Sequence, residues 1–455
     1  MALHQQGRRA DAELLYRDLL AAQPGYFEAL YGYGLLLADL KRDDEALAIL
    51  DRAVAARPGH AASWNNRANL LRNLKRHDEA LESFGKALIL RPDYPGALYN
   101  RANVLLLDLG RAAEALSDYD KALALNPGFA EAWNNRGNAL AALWRLPASL
   151  ESFDKALGLR PDFAQAMNSR GQVLLEMGRV DNAIAVFRHA AALTYGVDKN
   201  PLAGNPPSPP YKLRHDNEQA AYQAGIQGRF SEHSGARVVG PAVTPGNTEA
   251  AEQWRSKKPQ IAVIDNLLTP AALEGLRRFC REEPVWRKPY ENGYLGAFPE
   301  TGFACPLLAQ VAEELRGAFP DIFRAHPLLY MWGFKYDSSL TGINLHADEA
   351  AVNVNFWLTP DEANLDPQSG GLVIWDVAAP LDWNFAKFNG DQKAMRDFLA
   401  GAGAKPVTVP YRANRAVIFD SDLFHETDTI RFQEGYLNRR INVTMLFGRR
   451  EHGHL

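Results

Sequence analysis

Residues 59–92 read GHAASWNNRANLLRNLKRHDEALESFGKALILRP. Two apolar runs with helical spacing are joined by a short polar turn, and the second run ends on a proline. That proline recurs: Pro24, Pro58, Pro92, Pro127 and Pro161 are separated by 34, 34, 35 and 34 residues, and Tyr195 stands 34 beyond Pro161. The spacing assigns the extra residue of the third step to the turn near Gly110. Six residues after each proline comes a large side chain, Leu30, Trp64, Leu98, Trp133 or Met167. An apolar pair opens the second helix of each unit: Ala46-Leu47, Ala80-Leu81, Ala115-Leu116 and Ala183-Ile184, with Ala148-Ser149 departing from the pattern. Ahead of the first proline, residues 1–8 read as the end of one helix and 10–22 as another. A helix pair of this length buries its apolar face only against its neighbours, so residues 1–196 are expected to form an all-α solenoid with a concave groove.

Period and residue types together resemble the tetratricopeptide repeat. A second pattern rides on the first: Asn66, Asn100 and Asn135 share one repeat position, and Asn69, Asn103 and Asn138 another, three residues on and on the same helix face. Asparagine is a poor helix former, so a ladder of it asks for a reason. One reading is a groove whose amides bind an extended peptide backbone, which resembles the asparagine ladder of O-GlcNAc transferases. The other is that the amides tie neighbouring repeats together. Arg67, Arg101, Arg136 and Arg170 read as solvated residues or inter-repeat partners.

The whole chain has 455 residues, 47% hydrophobic and 23% charged, with net charge -4. That size predicts more than one domain, and the charge gives no reason to expect nucleic acid. Cys280 and Cys305 form no CxxC pair, which predicts neither a disulfide framework nor a zinc site and suits a reducing cytoplasm. No apolar run approaches the roughly 18 residues of a membrane span, and the first residues lack a secretory apolar segment. Residues 197–258 read as a linker: the proline-rich 200–210 is an extended spacer, 211–227 fits one helix, and 232–250 is turn-rich. His215-Asp216 is read as a pair without a metal role.

From residue 259 the pattern changes. A strand at Ile261 leads to a helix with Thr269 as N-cap, and 305–319 fits a second amphipathic helix. Short strands follow, near 329–336, 351–358, 370–375, 406–410, 415–419, 424–432 and 439–447, with a helical insertion at 377–404. This predicts an antiparallel sandwich or jelly roll over 259–455. Within it, Asn344-Leu-His346-Ala-Asp348 places an imidazole and a carboxylate two residues apart, hence on one face of an extended strand. His425 supplies a second imidazole from a later strand. Two imidazoles and one carboxylate leave three positions open on an octahedral ion, the arrangement of non-haem Fe(II) oxygenases. A buried arginine on the last strand suits a carboxylate.

Residues 260–448 resemble the Fe(II)- and 2-oxoglutarate-dependent oxygenases, nearest to the prolyl-hydroxylase-like and phytanoyl-hydroxylase-like groups. The resemblance implies a double-stranded β-helix, a metal triad of His346, Asp348 and His425, and Arg440 on the distal carboxylate of 2-oxoglutarate. Asn442 stands where the family often has serine. The resemblance also implies dioxygen as co-substrate and admits ascorbate as a further cofactor. Because Asp348 is retained, hydroxylation is expected rather than halogenation. Tyr330 or Tyr336 is a candidate to bond the co-substrate, and Asn353, Asn355 and Trp357 to line the pocket. Three functions stay open: a cytoplasmic oxygenase hydroxylating a protein or peptide side chain recruited by the repeat groove, an oxygenase of a small molecule or glycan with the repeats serving assembly, and a scaffold with an inactive sandwich.

Overall fold

The computed structural model describes residues 2–196, 208–226, 234–340 and 343–450. It contains two compact units, Met1–Ser169 and Arg170–Leu455. The division falls before residue 196, because the helix Val180–Tyr195 packs on Pro299–Thr301 and on the helix Pro306–Ala318 of the second unit.

The first unit is built of antiparallel helix pairs, such as Ala61–Asn73 with His77–Leu90 and Ala130–Ala142 with Leu146–Leu159. Each first helix ends in a left-handed residue: Lys41, Lys75, Gly110 and Trp144 have φ of 60°, 62°, 66° and 59°. That conformation turns the chain into its second helix. The repeated tryptophan has a local role, since the indoles of Trp64 and Trp133 donate to the carbonyls of Pro58 and Pro127 at 2.8 and 2.9 Å. The pairs are close: a Cβ on Gly137 would lie 2.6 Å from the Phe153 ring. The extra residue of the third repeat is not in the turn near Gly110. It is absorbed as a π-helical turn, Val104–Asp108, that follows Pro95–Asn103 and places Asp108 2.5 Å from Arg72. Widening one turn keeps the buried face in register and leaves the turn geometry intact.

The second unit holds twelve strands among the described residues: β1 Ile261–Ile264, β2 Lys288–Pro289, β3 Tyr294–Ala297, β4 Leu328–Tyr336, β5 Ser339–Leu340, β6 Val352–Trp357, β7 Leu372–Ala378, β8 Pro406–Val409, β9 Ala416–Asp420, β10 Leu423–Thr427, β11 Ile430–Arg431 and β12 Ile441–Phe447. They form a seven-stranded sheet ordered β1-β9-β6-β12-β4-β3-β2, a three-stranded sheet ordered β10-β7-β8, and the pair β11-β5. Every pairing is antiparallel. β6 and β12 are buried along their whole length, so both faces of the large sheet are covered. One core joins Tyr336, Trp357, Val417 and Phe419 of the large sheet to Leu372, Ile374, Val409 and Leu423 of the small one. The helical insertion is present as Phe385–Gly390 and Gln392–Gly401, and Phe388, Met395 and Leu399 pack on Leu345, Ala347 and Phe424 beside the histidines. The helix expected in the linker spans Pro210–Gly225 and belongs to this unit. Cys280 and Cys305 are free and buried, and burial pushes both thiols up to about 12.

Candidate metal centre

His346 lies outside the regular strands. It forms an isolated antiparallel bridge with His425 at the start of the small sheet, through N–H···O bonds of 3.0 and 2.8 Å, and the Asp348 amide bonds to the Ser421 carbonyl at 3.1 Å. The bridge supplies the extended backbone that was expected of a strand, and it brings His346, Asp348 and His425 together. One ligand atom from each lies within 4.8 Å of the others. Each imidazole is also oriented from behind: Nδ1 of His346 bonds the Asn344 carbonyl at 2.8 Å, and Nδ1 of His425 the Leu423 carbonyl at 3.0 Å. A carbonyl only accepts, so each Nδ1 carries the proton and each Nε2 presents its lone pair inward. Asp348 Oδ2 is 3.4 Å from His425 Nε2, and Oδ1 is 4.0 Å from His346 Nε2.

Electrostatics favour the ligating forms. Burial, reinforced by the positive potential of His425, pushes His346 down to about 4, so it is neutral at physiological pH. Burial alone would raise Asp348, but the two neighbouring imidazoles and the Asn353 amide outweigh it and hold the carboxyl below its usual range. Two imidazoles with their Nε2 atoms turned inward and one carboxylate suit a divalent ion with mixed nitrogen and oxygen preference.

Arg440 immediately precedes β12. Asn442 and Thr444 alternate to one face of that strand and line the cavity with His346, Asp348, His425, Trp332 and Phe334. The Arg440 guanidinium is fully buried within 4.8, 5.7 and 5.9 Å of the ring centres of Tyr336, Trp357 and Tyr411. Its Nε donates to the Gly370 carbonyl at 2.7 Å, while Nη1 has no partner among the described residues. The Tyr336 hydroxyl, equally buried, also lacks a partner at hydrogen-bond geometry, with Arg440 and Thr427 beside it. A carboxylate meeting Nη1 and this hydroxyl would satisfy both, so the residues present fit an acidic ligand group. Arg439 faces elsewhere and pairs with Glu218 at 2.9 Å.

Several of these candidates are engaged elsewhere. Tyr330 does not bond a co-substrate: its hydroxyl is held by Glu300 at 2.9 and 3.0 Å. Asn442 does not supply the carboxylate with a second donor, because both amide hydrogens are engaged by Asn355 at 2.8 Å and Thr444 at 3.1 Å. Most of the asparagine ladder ties repeats together: Asn66 reaches Tyr31, Asn100 reaches Asn65, and Asn135 reaches Asn103 and Tyr99. Only Asn69 and Asn138 stay half-buried with no side-chain hydrogen bond to described residues. Arg67, Arg101 and Arg136 pair with Asp51, Asp118 and Asp120. Sequence reasoning passed over Thr444, Thr427 and Tyr411; the alternation from Arg440 through Asn442 pointed to Thr444.

Family models described as tetratricopeptide repeat match residues 61–94 and, in a second model, 1–61, 99–162 and 144–196. The N-terminal region therefore carries tetratricopeptide repeats, a protein-interaction scaffold. No curated protein matches the chain. Solved structures similar to it include YrrB, described as a tetratricopeptide-repeat protein with an unusual peptide-binding site, at 21% identity and TM-score 0.35, covering 39% of this chain and 91% of that one. MamA from Desulfovibrio magneticus RS-1 follows at 22% and 0.36, covering 42% and 98%. Pseudomonas aeruginosa PilF stands at 19% and 0.37, covering 41% and 84%. No helix among the described residues is long and apolar enough to cross a membrane.

Proposed function

We propose that the chain is an Fe(II)- and 2-oxoglutarate-dependent dioxygenase that hydroxylates a protein or peptide side chain recruited by its repeats, and that its two larger sheets are a double-stranded β-helix. One observation carries the reading: His346, Asp348 and His425 converge in the pocket whose lining residue Asn442 lies two positions after the buried Arg440. When bound, iron with 2-oxoglutarate and dioxygen supplies an oxidant able to hydroxylate a C–H bond, with succinate and CO2 as co-products. The chain's own residues do the rest. His346, Asp348 and His425 would hold the ion. The carbonyls of Asn344 and Leu423 keep both rings in the ligating tautomer. Arg440 and Tyr336 would take the far carboxylate, and Trp332, Phe334, Ile343 and Leu372, which line the cavity beside the triad, would limit water there.

The test is succinate release from 2-oxoglutarate with Fe(II), with and without peptide. Turnover that depends on iron and rises with peptide is expected. The His346→Ala protein should lose Fe(II) affinity by at least about 10-fold together with turnover. A His346→Ala protein that binds iron normally removes the ligand assignment.

A further inference from the structure

Behind the metal ligands lies a chain of amides. Asn353 Nδ2 donates to Asp348 Oδ2 at 2.5 Å, Asn355 Nδ2 donates to Asn353 Oδ1 at 2.5 Å, and Asn355 Oδ1 accepts from Asn442 Nδ2 at 2.8 Å and Thr444 Oγ1 at 2.8 Å. Asn353 and Asn355 alternate along β6, and the register pairs Asn355 with Thr444 and Trp357 with Asn442 on β12. All four side chains are at least 95% buried. The direction of the chain is set chemically. An ionised carboxylate only accepts, so Asn353 must turn its NH2 to Asp348, which leaves its oxygen for Asn355, and so on to Asn442. The far end is open: Asn442 Oδ1 has no partner among the described residues, and Arg440 is two residues away.

We propose that Asn353, Asn355 and Asn442 are positioning residues: a directional amide relay that fixes Asp348 through Oδ2, leaves Oδ1 as the oxygen free of hydrogen bonds to described residues, and couples the metal carboxylate to the strand that follows Arg440. A metal ligand held by a hydrogen bond keeps its rotamer without the ion, and each amide polarises the next. Buried asparagines are costly unless satisfied, and here each amide hydrogen that Asp348 requires is returned along the chain to β12.

The inference rests on the metal reading above, and the experiment separates the two. Co(II) is titrated calorimetrically into metal-free full-length wild type, Asn353→Leu, Asn442→Ser and the double variant, with the Co(II) visible spectrum and the metal-free melting temperature recorded. Asn353→Leu is expected to weaken Co(II) binding by about 10- to 100-fold and to alter the Co(II) spectrum. Asn442→Ser should weaken binding less, and the double variant should fall short of the product of the two. Should Asn353→Leu fail to fold, Asn353→Ser, which keeps a shorter donor, should give an intermediate loss. Co(II) binding at wild-type affinity with an unchanged spectrum in the Asn353 variants overturns the relay alone. A wild-type protein that binds no Co(II) overturns the metal reading and the relay with it.

Discussion

Tyr336 separates co-substrate recognition from ordinary packing. Its hydroxyl is buried beside Arg440 and Thr427 with no partner at hydrogen-bond geometry, so Tyr336→Phe should change unfolding free energy by less than about 0.5 kcal/mol. If the hydroxyl meets the far carboxylate of 2-oxoglutarate, its loss removes a hydrogen bond to a charged group worth about 1.5–3 kcal/mol, and the KM for 2-oxoglutarate should rise about 10- to 100-fold with kcat largely kept. Steady-state kinetics at varied 2-oxoglutarate decide it; an unchanged KM detaches Tyr336 from the carboxylate. The convergence of His346, Asp348 and His425 was legible because the first two are spaced two residues apart, as one extended face requires, and His425 lies on a later strand. The engagement of Asn442 by Asn355 was not, since it depends on the pairing of β12 with β6, fixed by strands more than eighty residues apart.

The helix Pro210–Gly225 shows what composition conceals. Its proline-rich approach reads as a spacer, yet the helix is fastened to the second unit: Tyr211 donates to the Tyr290 carbonyl at 2.5 Å, Gln223 to the Glu282 carbonyl at 2.7 Å, and Glu218 pairs with Arg439. These partners are distant in sequence, so no local signal announces them. Its His215 is fully buried, against Tyr436 and next to Asp216, with Lys335 and Arg439 adding positive charge nearby. Burial, with that charge, drives its pKa from the ordinary 6.5 down to about 3. Between those values the unfolded chain binds a proton that the folded chain refuses, so stability falls as the pH drops through this window, by about 1.4 kcal/mol per unit. Subtracting a His215→Leu variant isolates the effect: wild type should lose about 1.4 kcal/mol relative to it between pH 6 and pH 5, by urea unfolding at each pH. A difference independent of pH would mean that His215 titrates normally when folded. The π-turn at Val104–Asp108 was half legible, because a count of 35 reveals an insertion but not whether a turn or a helix absorbs it.

Over the whole molecule, the repeats and the candidate metal centre belong to separate units. With most of the asparagine ladder engaged between repeats, Asn69 and Asn138 are the ladder amides left for a partner. Replacing both with alanine should weaken binding of a substrate peptide on the order of 10-fold, from the loss of two hydrogen bonds of about 0.5–1.5 kcal/mol each, while peptide-independent 2-oxoglutarate turnover stays unchanged. Calorimetric titration of the peptide beside uncoupled succinate release checks both halves; equal affinity would move the binding surface off the ladder. The two cysteines have a practical consequence at this scale. Both lie in the second unit, enclosed and held as thiols far above neutral pH. A thiol-alkylating reagent should therefore react only with molecules that have sprung open there, and the repeat array, which has no cysteine, stays silent. The unaltered chain thus carries its own clock for how often the second unit breathes.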